Sequence, residues 1–204
     1  MFDPIHYGHL RTAFELQSKL SLDEVRFVPC ADPPHRGAAT VDTALRVRMV
    51  DAAIRGQPGF LVDDRESKRP GPSYTVDTLT GLRADFPDAS LCLIVGMDAF
   101  LGLPTWRDWH KLLDLAHIVV VERAGCSAPE AGALRELIEN HATAGPGDLR
   151  RELHGGVHLE QVTRLEISST GLRSAIRAGL APRYLMPDAA LNVISETGCY
   201  AAQG

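Results

Sequence analysis

Two histidines near the start of the chain are the residues whose types and spacing best fit a chemical role. They occur in the segment Phe2-Asp3-Pro4-Ile5-His6-Tyr7-Gly8-His9, immediately before residues with helical periodicity. A helix N-terminus presents unpaired N–H groups and partial positive charge, so a phosphate chain can bind there. Imidazole N–H groups can contact its oxygens, and Gly8 lets the backbone approach a ligand closely. The segment therefore predicts phosphoryl chemistry, in which positioning and charge neutralisation do most of the work.

Metal binding and a plain surface turn are the alternatives for two nearby histidines. The sequence has no H-E-x-x-H pattern, and the next candidate ligands, Cys30 and His35, follow no known zinc-ligand spacing. We therefore predict no metal held by protein ligands, while a surface turn stays open for this segment taken alone.

A second candidate segment lies late in the chain, at Ile167-Ser168-Ser169-Thr170-Gly171-Leu172-Arg173. Its hydroxyl groups can cap a helix and donate to phosphate oxygens. Arg173 follows about one turn later and offers planar, permanently charged donors. A simple N-cap followed by a solvated arginine is the other interpretation of this segment alone.

The elements that must position these residues alternate between short apolar strands and amphipathic helices. Strands are predicted at 25–28, 60–62, 91–95, 118–121 and 157–162, and helices at 10–20, 45–53 after an Asp42 cap, from Ser73 to 86, 130–141, 169–178 and 188–196. This alternation favours right-handed βαβ units in one domain over residues 1–204. The predicted fold class is α/β, a doubly wound parallel sheet with a small C-terminal helical part. Ligands of such sheets bind beyond the carboxyl ends of the strands.

Composition excludes several classes of protein. Of the 204 residues, 45% are hydrophobic and 23% are charged, which is typical of a globular domain. A net charge of -5 argues against nucleic acid as a partner. The four cysteines form no C-x-x-C pair and fit a reducing compartment. No apolar run approaches the roughly 20 residues that span a bilayer. We therefore predict a cytoplasmic protein without a membrane partner.

Together, H-x-G-H at residues 6–9 and I-S-S-T-x-x-R at residues 167–173 resemble the motifs of the nucleotidyltransferase superfamily. Intermediate segments, in matching order and spacing, make nearly the whole chain similar to bacterial nicotinate-nucleotide adenylyltransferases. These segments are Pro33-Pro34-His35-Arg36, Arg46, P-S-Y-T-V-D-T-L at 72–79, I-V-G-M-D at 94–98 and L-P-T-W at 103–106.

The resemblance implies a Rossmann-like fold and a reaction of NAD biosynthesis. ATP and nicotinate mononucleotide would give nicotinate adenine dinucleotide and pyrophosphate by direct in-line attack, without a covalent enzyme intermediate. Mg²⁺ would be carried with ATP, held mainly by phosphate oxygens and water. The alternatives are a phosphopantetheine or nicotinamide mononucleotide adenylyltransferase, or a nucleotide-binding module without turnover. The S-Y-T-x-D-T-L and P-T-W segments weigh against the first two.

The resemblance also implies which residues bind ATP. His6, His9 and Arg173 would be catalytic, the two histidines by stabilising charge at the α-phosphorus. Ser168, Ser169 and Arg173 would bind the β- and γ-phosphates. The implied ATP-binding set is Phe2, His6, Gly8, His9, Gly96, Asp98, Ile167, Ser168, Ser169 and Arg173. Asp98 would accept from ribose hydroxyls, although a plain helix cap is the alternative there.

The implied set for nicotinate mononucleotide is His35, Arg46, Tyr74, Thr75, Trp106 and Arg123. A flat nicotinate ring would stack on Trp106, and Tyr74 and Thr75 would line the same pocket. Backbone N–H groups at the nearby helix start would receive the ring carboxylate. Ordinary packing roles are the alternatives for both aromatic residues. Arg46 would offer positive charge to the mononucleotide phosphate.

The family pattern opens with an apolar strand that ends in Gly-Gly and one variable residue before Phe-Asp-Pro. Here Met1 occupies the variable position. We therefore expect the natural polypeptide to extend upstream by roughly one strand of 5 to 10 residues. That strand would be the first and central one of the parallel sheet, and its absence would leave ladder groups of its neighbours unpaired.

Overall fold

The computed structural model describes residues 1–32, 39–122 and 128–202. In chain order, its helices are α1 (Tyr7–Lys19), α2 (Thr43–Ile54), α3 (Thr75–Asp85), α4 (Met97–Leu101), α5 (Leu112–Leu115), α6 (Ala133–His141), α7 (Asp148–Arg151), α8 (Ser169–Arg177) and α9 (Asp188–Thr197). Its strands are β1 (Val25–Phe27), β2 (Phe60–Val62), β3 (Cys92–Gly96), β4 (His117–Glu122) and β5 (Val157–Gln161). Short 3-10 turns occupy Arg65–Lys68, Leu103–Thr105 and Trp109–Lys111.

These elements fold as two compact units. The first unit comprises Met1–Gln17, Leu22–Ser73 and Leu165–Gly204, and the second comprises Ser18–Ser21 and Tyr74–Arg164. The single domain expected over residues 1–204 stays a prediction.

The first unit contains the parallel pair β1 and β2, in which Val25 lies opposite Phe60. Apolar side chains of α2 and α9 join these strands in one core. Helix α2 begins after Asp42, whose carboxylate accepts a hydrogen bond from the Leu45 amide at 2.7 Å. This bond confirms the predicted cap and satisfies a donor of the first helical turn. Helices α8 and α9 form the predicted C-terminal helical part.

The second unit contains a parallel sheet in the order β3-β4-β5, in which Val120 lies between Val95 and Leu159. Residues 117–121 of β4 are all buried. A continuous apolar run is typical of a parallel strand covered on both faces, which is why this strand could be predicted. The parallel strands that alternate with helices confirm the predicted α/β class.

His117, the first residue of β4, is buried inside the second unit. Its Nδ1 accepts a hydrogen bond from the Gly156 amide, and its Nε2 donates to the carbonyl oxygen of Glu152, both at 2.9 Å. These bonds select one neutral tautomer. Burial lowers the pKa of this imidazole below its ordinary value. His117 therefore has a structural role as a neutral side chain.

The predicted start of the third helix at Ser73 is wrong. Helix α3 begins at Thr75, because Tyr74 precedes it with an extended backbone (φ −99°, ψ 136°). The hydroxyl of Ser73 instead accepts a hydrogen bond from the Asp32 amide at 3.2 Å. Ser73 therefore stabilises a loop contact rather than a helix end. Among the helices that the structure describes, none is both long and apolar enough to cross a membrane.

Candidate active site

The imidazoles of His6 and His9 lie together at the start of α1. The carbonyl oxygen of His6 accepts hydrogen bonds from the amides of His9 and Leu10 at 3.0 and 3.2 Å, which sets the first turn of the helix. The two rings stack with centroids 3.7 Å apart and an interplanar angle of 28°. His6 is only 5% exposed, so packing fixes its ring. This helix start combines two imidazoles with the positive end of a helix dipole, a combination that stabilises anions.

Gly8 is required by the packing of the His6 ring. A Cβ atom at this position would lie 3.0 Å from both Cε1 and Nδ1 of His6 and 3.6 Å from the carbonyl oxygen of Leu165. Ordinary carbon contacts are longer, at about 3.5–4.0 Å. The glycine therefore has a role in holding the imidazole, in addition to the predicted role in ligand approach.

The late serine-arginine segment joins the opening loop directly. Ser168 caps α8 by accepting a hydrogen bond from the Gly171 amide at 3.1 Å. The hydroxyl of Ser169 donates to the carbonyl oxygen of Pro4 at 2.9 Å. Nη1 of Arg173 donates to the carbonyl oxygen of Asp3 at 2.7 Å. The structure thus brings the two predicted motifs together in the first unit.

Asp3 connects several parts of the first unit, a role that the sequence analysis missed. Its Oδ1 accepts a hydrogen bond from the Tyr200 hydroxyl at 2.6 Å, and its Oδ2 accepts one from the Thr40 amide at 2.9 Å. Nη1 of Arg173 lies 3.8 Å from the same Oδ2. Burial, together with the Asp3 carboxylate, raises the pKa of Tyr200 above its ordinary value. The only sequence signal for this network is the Phe-Asp-Pro segment itself.

Phe2 and Ile167 border the same motifs. The Phe2 ring meets the His9 ring edge-on at 5.1 Å and packs against Phe27 at 5.7 Å. Phe2 thus packs against the His9 imidazole. Ile167 is partly buried, and its amide donates to the carbonyl oxygen of Leu165 at 2.8 Å. Direct contact of either residue with ATP stays a prediction.

In the second unit, Tyr74 lies at the start of α3, and an arginine side chain packs over its ring. The Arg107 guanidinium lies 4.6 Å from the ring centroid, within cation–π distance. Arg107 also lies 3.9 Å from the carboxylate of Asp77 and 3.7 Å from that of Asp108. Thr75 is the first residue of α3. The sequence analysis missed Arg107, although it directly follows Trp106.

The remaining predicted residues of the second unit occupy positions that suit a binding role. Trp106 is partly buried and packs against the core of this unit. Gly96 ends β3 and precedes α4, and Asp98 is an exposed residue in the first turn of that helix. Asp98 thus lies at the carboxyl end of a parallel strand, where ligands of such sheets bind. Contacts of these residues with substrate stay predictions.

The structure does not support the predicted contact between Arg46 and the mononucleotide phosphate. Its side chain is fully buried, and its three nitrogens donate to the carbonyl oxygens of Met1 (3.1 Å) and Val41 (3.3 Å) and to the hydroxyl of Thr43 (2.8 Å). A guanidinium with these contacts has no exposed surface for a mononucleotide phosphate. The position of Arg46 therefore supports a structural role and not the predicted phosphate contact. His35, Arg36 and Arg123 lie outside the described residues.

Comparisons with known proteins show the family of this chain. The profile of the cytidylyltransferase-like family matches residues 1–175. A Methylococcus capsulatus protein named "Probable nicotinate-nucleotide adenylyltransferase" is 44% identical over 201 residues, which are 98% of this chain and 96% of that protein. A protein of the same name from Aeromonas hydrophila is 44% identical over 98% of this chain and 93% of its own length.

Solved structures show the same fold. The chain is similar to Plasmodium falciparum nicotinic acid mononucleotide adenylyltransferase complexed with NaAD, with a TM-score of 0.73 and 16% identity, over 98% of this chain and 93% of that one. The same Plasmodium enzyme complexed with APC gives a TM-score of 0.71 at 16% identity, over 98% and 92% of the two chains. The predicted Rossmann-like nucleotidyltransferase fold is therefore confirmed.

Proposed function

The chain belongs to the cytidylyltransferase-like family and, within it, to the nicotinate-nucleotide adenylyltransferases, and from this premise we propose how its residues carry out the transfer. The adenylyl group of ATP passes to nicotinate mononucleotide, which gives nicotinate adenine dinucleotide and pyrophosphate. The observation that carries the proposal is the hydrogen-bonded junction between the opening loop and α8, through Ser169 and Arg173. This junction gathers imidazole, hydroxyl and guanidinium donors at the N-termini of two helices.

In the proposed reaction, an oxygen of the mononucleotide phosphate attacks the α-phosphorus of ATP. The new P–O bond forms as the bond to the β-phosphate oxygen breaks, and pyrophosphate leaves with that electron pair. His6 and His9 stabilise the negative charge that develops at the α-phosphate. Ser168, Ser169 and Arg173 bind the β- and γ-phosphates and stabilise the leaving pyrophosphate. A phosphate dianion needs no deprotonation to attack, so no general base is assigned.

The proposed contacts to the nicotinate and adenosine groups come from Gly96, Asp98, Trp106 and the start of α3. The nicotinate ring stacks on Trp106, and backbone N–H groups at the start of α3, near Tyr74 and Thr75, receive its carboxylate. Asp98 accepts hydrogen bonds from the ribose of ATP, and Gly96 lets the backbone lie close to the adenosine. The similar Plasmodium enzyme is complexed with NaAD, a dinucleotide of the proposed product class, which supports the proposed product.

The proposal includes Mg²⁺ as part of the ATP substrate. Mg²⁺ keeps several waters and binds phosphate oxygens, so it needs few protein ligands. Within residues 1–32, 39–122 and 128–202, no group of three or more His, Cys, Asp or Glu side chains is arranged to hold a metal ion. The metal would offset phosphate charge beside Arg173 and the two histidines. A cytoplasmic location is part of the same proposal.

A substrate panel tests the function. The purified full chain is incubated with MgATP and, separately, with nicotinate mononucleotide, nicotinamide mononucleotide or phosphopantetheine, and released pyrophosphate is measured. The expected result is rapid release with nicotinate mononucleotide and slower release with the amide, together with the dinucleotide by mass spectrometry. Equal rates with acid and amide would contradict the acid preference. No release with any acceptor would leave a nucleotide-binding module without turnover.

His9→Ala tests the phosphate site. Loss of one donor that stabilises transition-state charge is expected to lower kcat by about 100- to 1,000-fold. The thermal unfolding midpoint should change little, because the His9 ring is only partly buried. His141→Ala is the matched control, since His141 is an exposed histidine in α6. A His9→Ala enzyme with the turnover of the control would remove His9 from the reaction.

A further inference from the structure

Tyr200 lies in the turn after α9 with its side chain inside the first unit. Gly198 ends α9 with a φ of 65°, and Tyr200 has a φ of 67°. Residues other than glycine rarely adopt a positive φ, and a bulky residue with this backbone conformation is unusual. The side chain is 5% exposed and belongs to the core that includes Ile5 and Val193. An unfavourable backbone conformation thus accompanies a buried phenol.

The hydroxyl of Tyr200 has a charged partner in this core. It donates to Oδ1 of Asp3 at 2.6 Å, while the Thr40 amide donates to Oδ2 at 2.9 Å. Asp3 is 3% exposed, so its carboxylate depends on protein donors in place of water. A phenol is protonated at neutral pH and can donate, and the raised pKa of Tyr200 extends that state to higher pH. Each carboxylate oxygen therefore receives a hydrogen bond from a neutral group.

Arg173 forms a long ion pair with this carboxylate but donates no hydrogen bond to it. Its Nη1 donates to the backbone carbonyl oxygen of Asp3 at 2.7 Å and lies 3.8 Å from Oδ2. Its Nη2 donates to the hydroxyl of Thr170 at 3.3 Å. The side chain keeps 21% exposure, so part of the guanidinium remains accessible to a ligand. A guanidinium has five N–H donors, and a direct carboxylate pair would occupy two of them.

We propose that Tyr200 is a positioning residue for triphosphate binding, which holds the Asp3 carboxylate so that its ion pair with Arg173 stays at 3.8 Å and does not close into direct hydrogen bonds. This inference rests on the proposed function, in which Arg173 binds the β- and γ-phosphates. Without the phenol, Oδ1 of Asp3 loses its neutral donor. The carboxylate then turns towards the guanidinium that already lies 3.8 Å away. The ion pair then shortens into direct hydrogen bonds, which compete with phosphate for the same N–H groups.

Tyr200→Phe removes the hydroxyl and keeps the ring. Calorimetry with inorganic tripolyphosphate should show a dissociation constant about three- to tenfold higher than that of the wild type, the size of one hydrogen bond. KM for ATP should rise by a similar factor, while kcat stays within twofold. Tyr184→Phe is the matched control, because Tyr184 also has a positive φ of 64° but is 89% exposed. The control should bind tripolyphosphate as the wild type does.

Asp3→Asn separates positioning from packing. The amide has nearly the same shape without the charge, and its NH₂ group can donate to the Tyr200 oxygen because a phenol also accepts. Tripolyphosphate should bind this variant at least as tightly as it binds the wild type. Adding Tyr200→Phe to Asp3→Asn should change the dissociation constant by less than twofold, because the competing charge is gone. This arm also tests the inference if Tyr200→Phe alone does not fold.

Three results would overturn the inference. The first is unchanged tripolyphosphate binding in Tyr200→Phe with a lower thermal midpoint, which is the result of a packing role alone. The second is that Tyr200→Phe weakens tripolyphosphate binding by the same factor in the Asp3→Asn variant as in the wild type. The third is no tripolyphosphate binding by the wild type. The proposed function is tested separately, because a wild type that binds tripolyphosphate but makes no dinucleotide contradicts that function and leaves the role of Tyr200 intact.

Discussion

Gly8→Ala tests whether the position of the His6 ring sets the rate of adenylyl transfer. The added Cβ would lie 3.0 Å from two atoms of that ring. Because ordinary contacts are at about 3.5–4.0 Å, the ring must move by roughly half an ångström. His6 is 5% exposed and stacks on His9, so the ring cannot turn freely into solvent. The substitution therefore displaces an imidazole without removing it.

The displacement should lower the rate more than the stability. A misplacement of about 1 Å can cost a factor of about 100 in rate, so half of that predicts a kcat about tenfold lower. Overpacking costs about 1–3 kcal/mol. Replacing glycine in α1 restores about 1 kcal/mol of helix propensity. The free energy of unfolding should thus fall by about 0–2 kcal/mol.

Pyrophosphate release measures kcat for this variant, and urea denaturation measures its stability. Gly102→Ala is the control, because Gly102 has helical dihedral angles and the nearest heavy atom to its added Cβ is the carbonyl oxygen of Ala99 at 3.5 Å, an ordinary contact. The control should keep wild-type kcat. A Gly8→Ala enzyme that also keeps wild-type kcat would refute the reasoning, because a displaced His6 ring would then be equally active.

Two further predictions concern residues outside the reacting centre. Arg46→Met should lower the free energy of unfolding by about 2–4 kcal/mol, because three acceptors lose a buried charged donor. KM for nicotinate mononucleotide should stay within twofold, and a raised KM at unchanged stability would instead favour the phosphate contact. Acidification from pH 7.5 to 5 should lower the urea midpoint. The unfolded His117 imidazole, with an ordinary pKa of about 6.5, takes up a proton that the buried ring binds more weakly. The stability that neutral, buried His117 contributes is present above that pKa and is lost as the pH falls through it. His117→Gln should therefore make the urea midpoint depend less on pH. An unchanged pH dependence would contradict the structural role of His117.

Buried strands and helix caps could be predicted because their signals are local. The apolar run of β4 indicates a strand covered on both faces, and Asp42 lies three residues before the Leu45 amide that it caps. Ser73 shows the limit of such signals. Its type and position fit a helix cap, but its hydroxyl bonds to Asp32, 41 residues earlier. A local pattern does not reveal which of two partners a hydroxyl selects.

The meeting of the two phosphate motifs could be predicted from the resemblance, while the side chains that support them could not. Arg46 contacts the carbonyl oxygen of Met1, 45 residues away, and nothing in its neighbourhood distinguishes it from a solvated arginine. Tyr200 bonds to Asp3 across 197 residues. Arg107 directly follows Trp106, but its contact with the Tyr74 ring depends on how α3 and the segment after α4 fold. These contacts arise from tertiary packing, which no sequence period encodes.

The bonds from Ser169 to Pro4 and from Arg173 to Asp3 span 165 and 170 residues. During translation, the histidines leave the ribosome long before the serine and arginine have been added. A nascent chain therefore lacks the phosphate donors that the proposed function assigns to α8, and by that proposal ATP stabilises the fold fully only after α8 has emerged and docked. Resistance to proteolysis that depends on added nucleotide would then mark finished molecules and distinguish them from prematurely terminated ones.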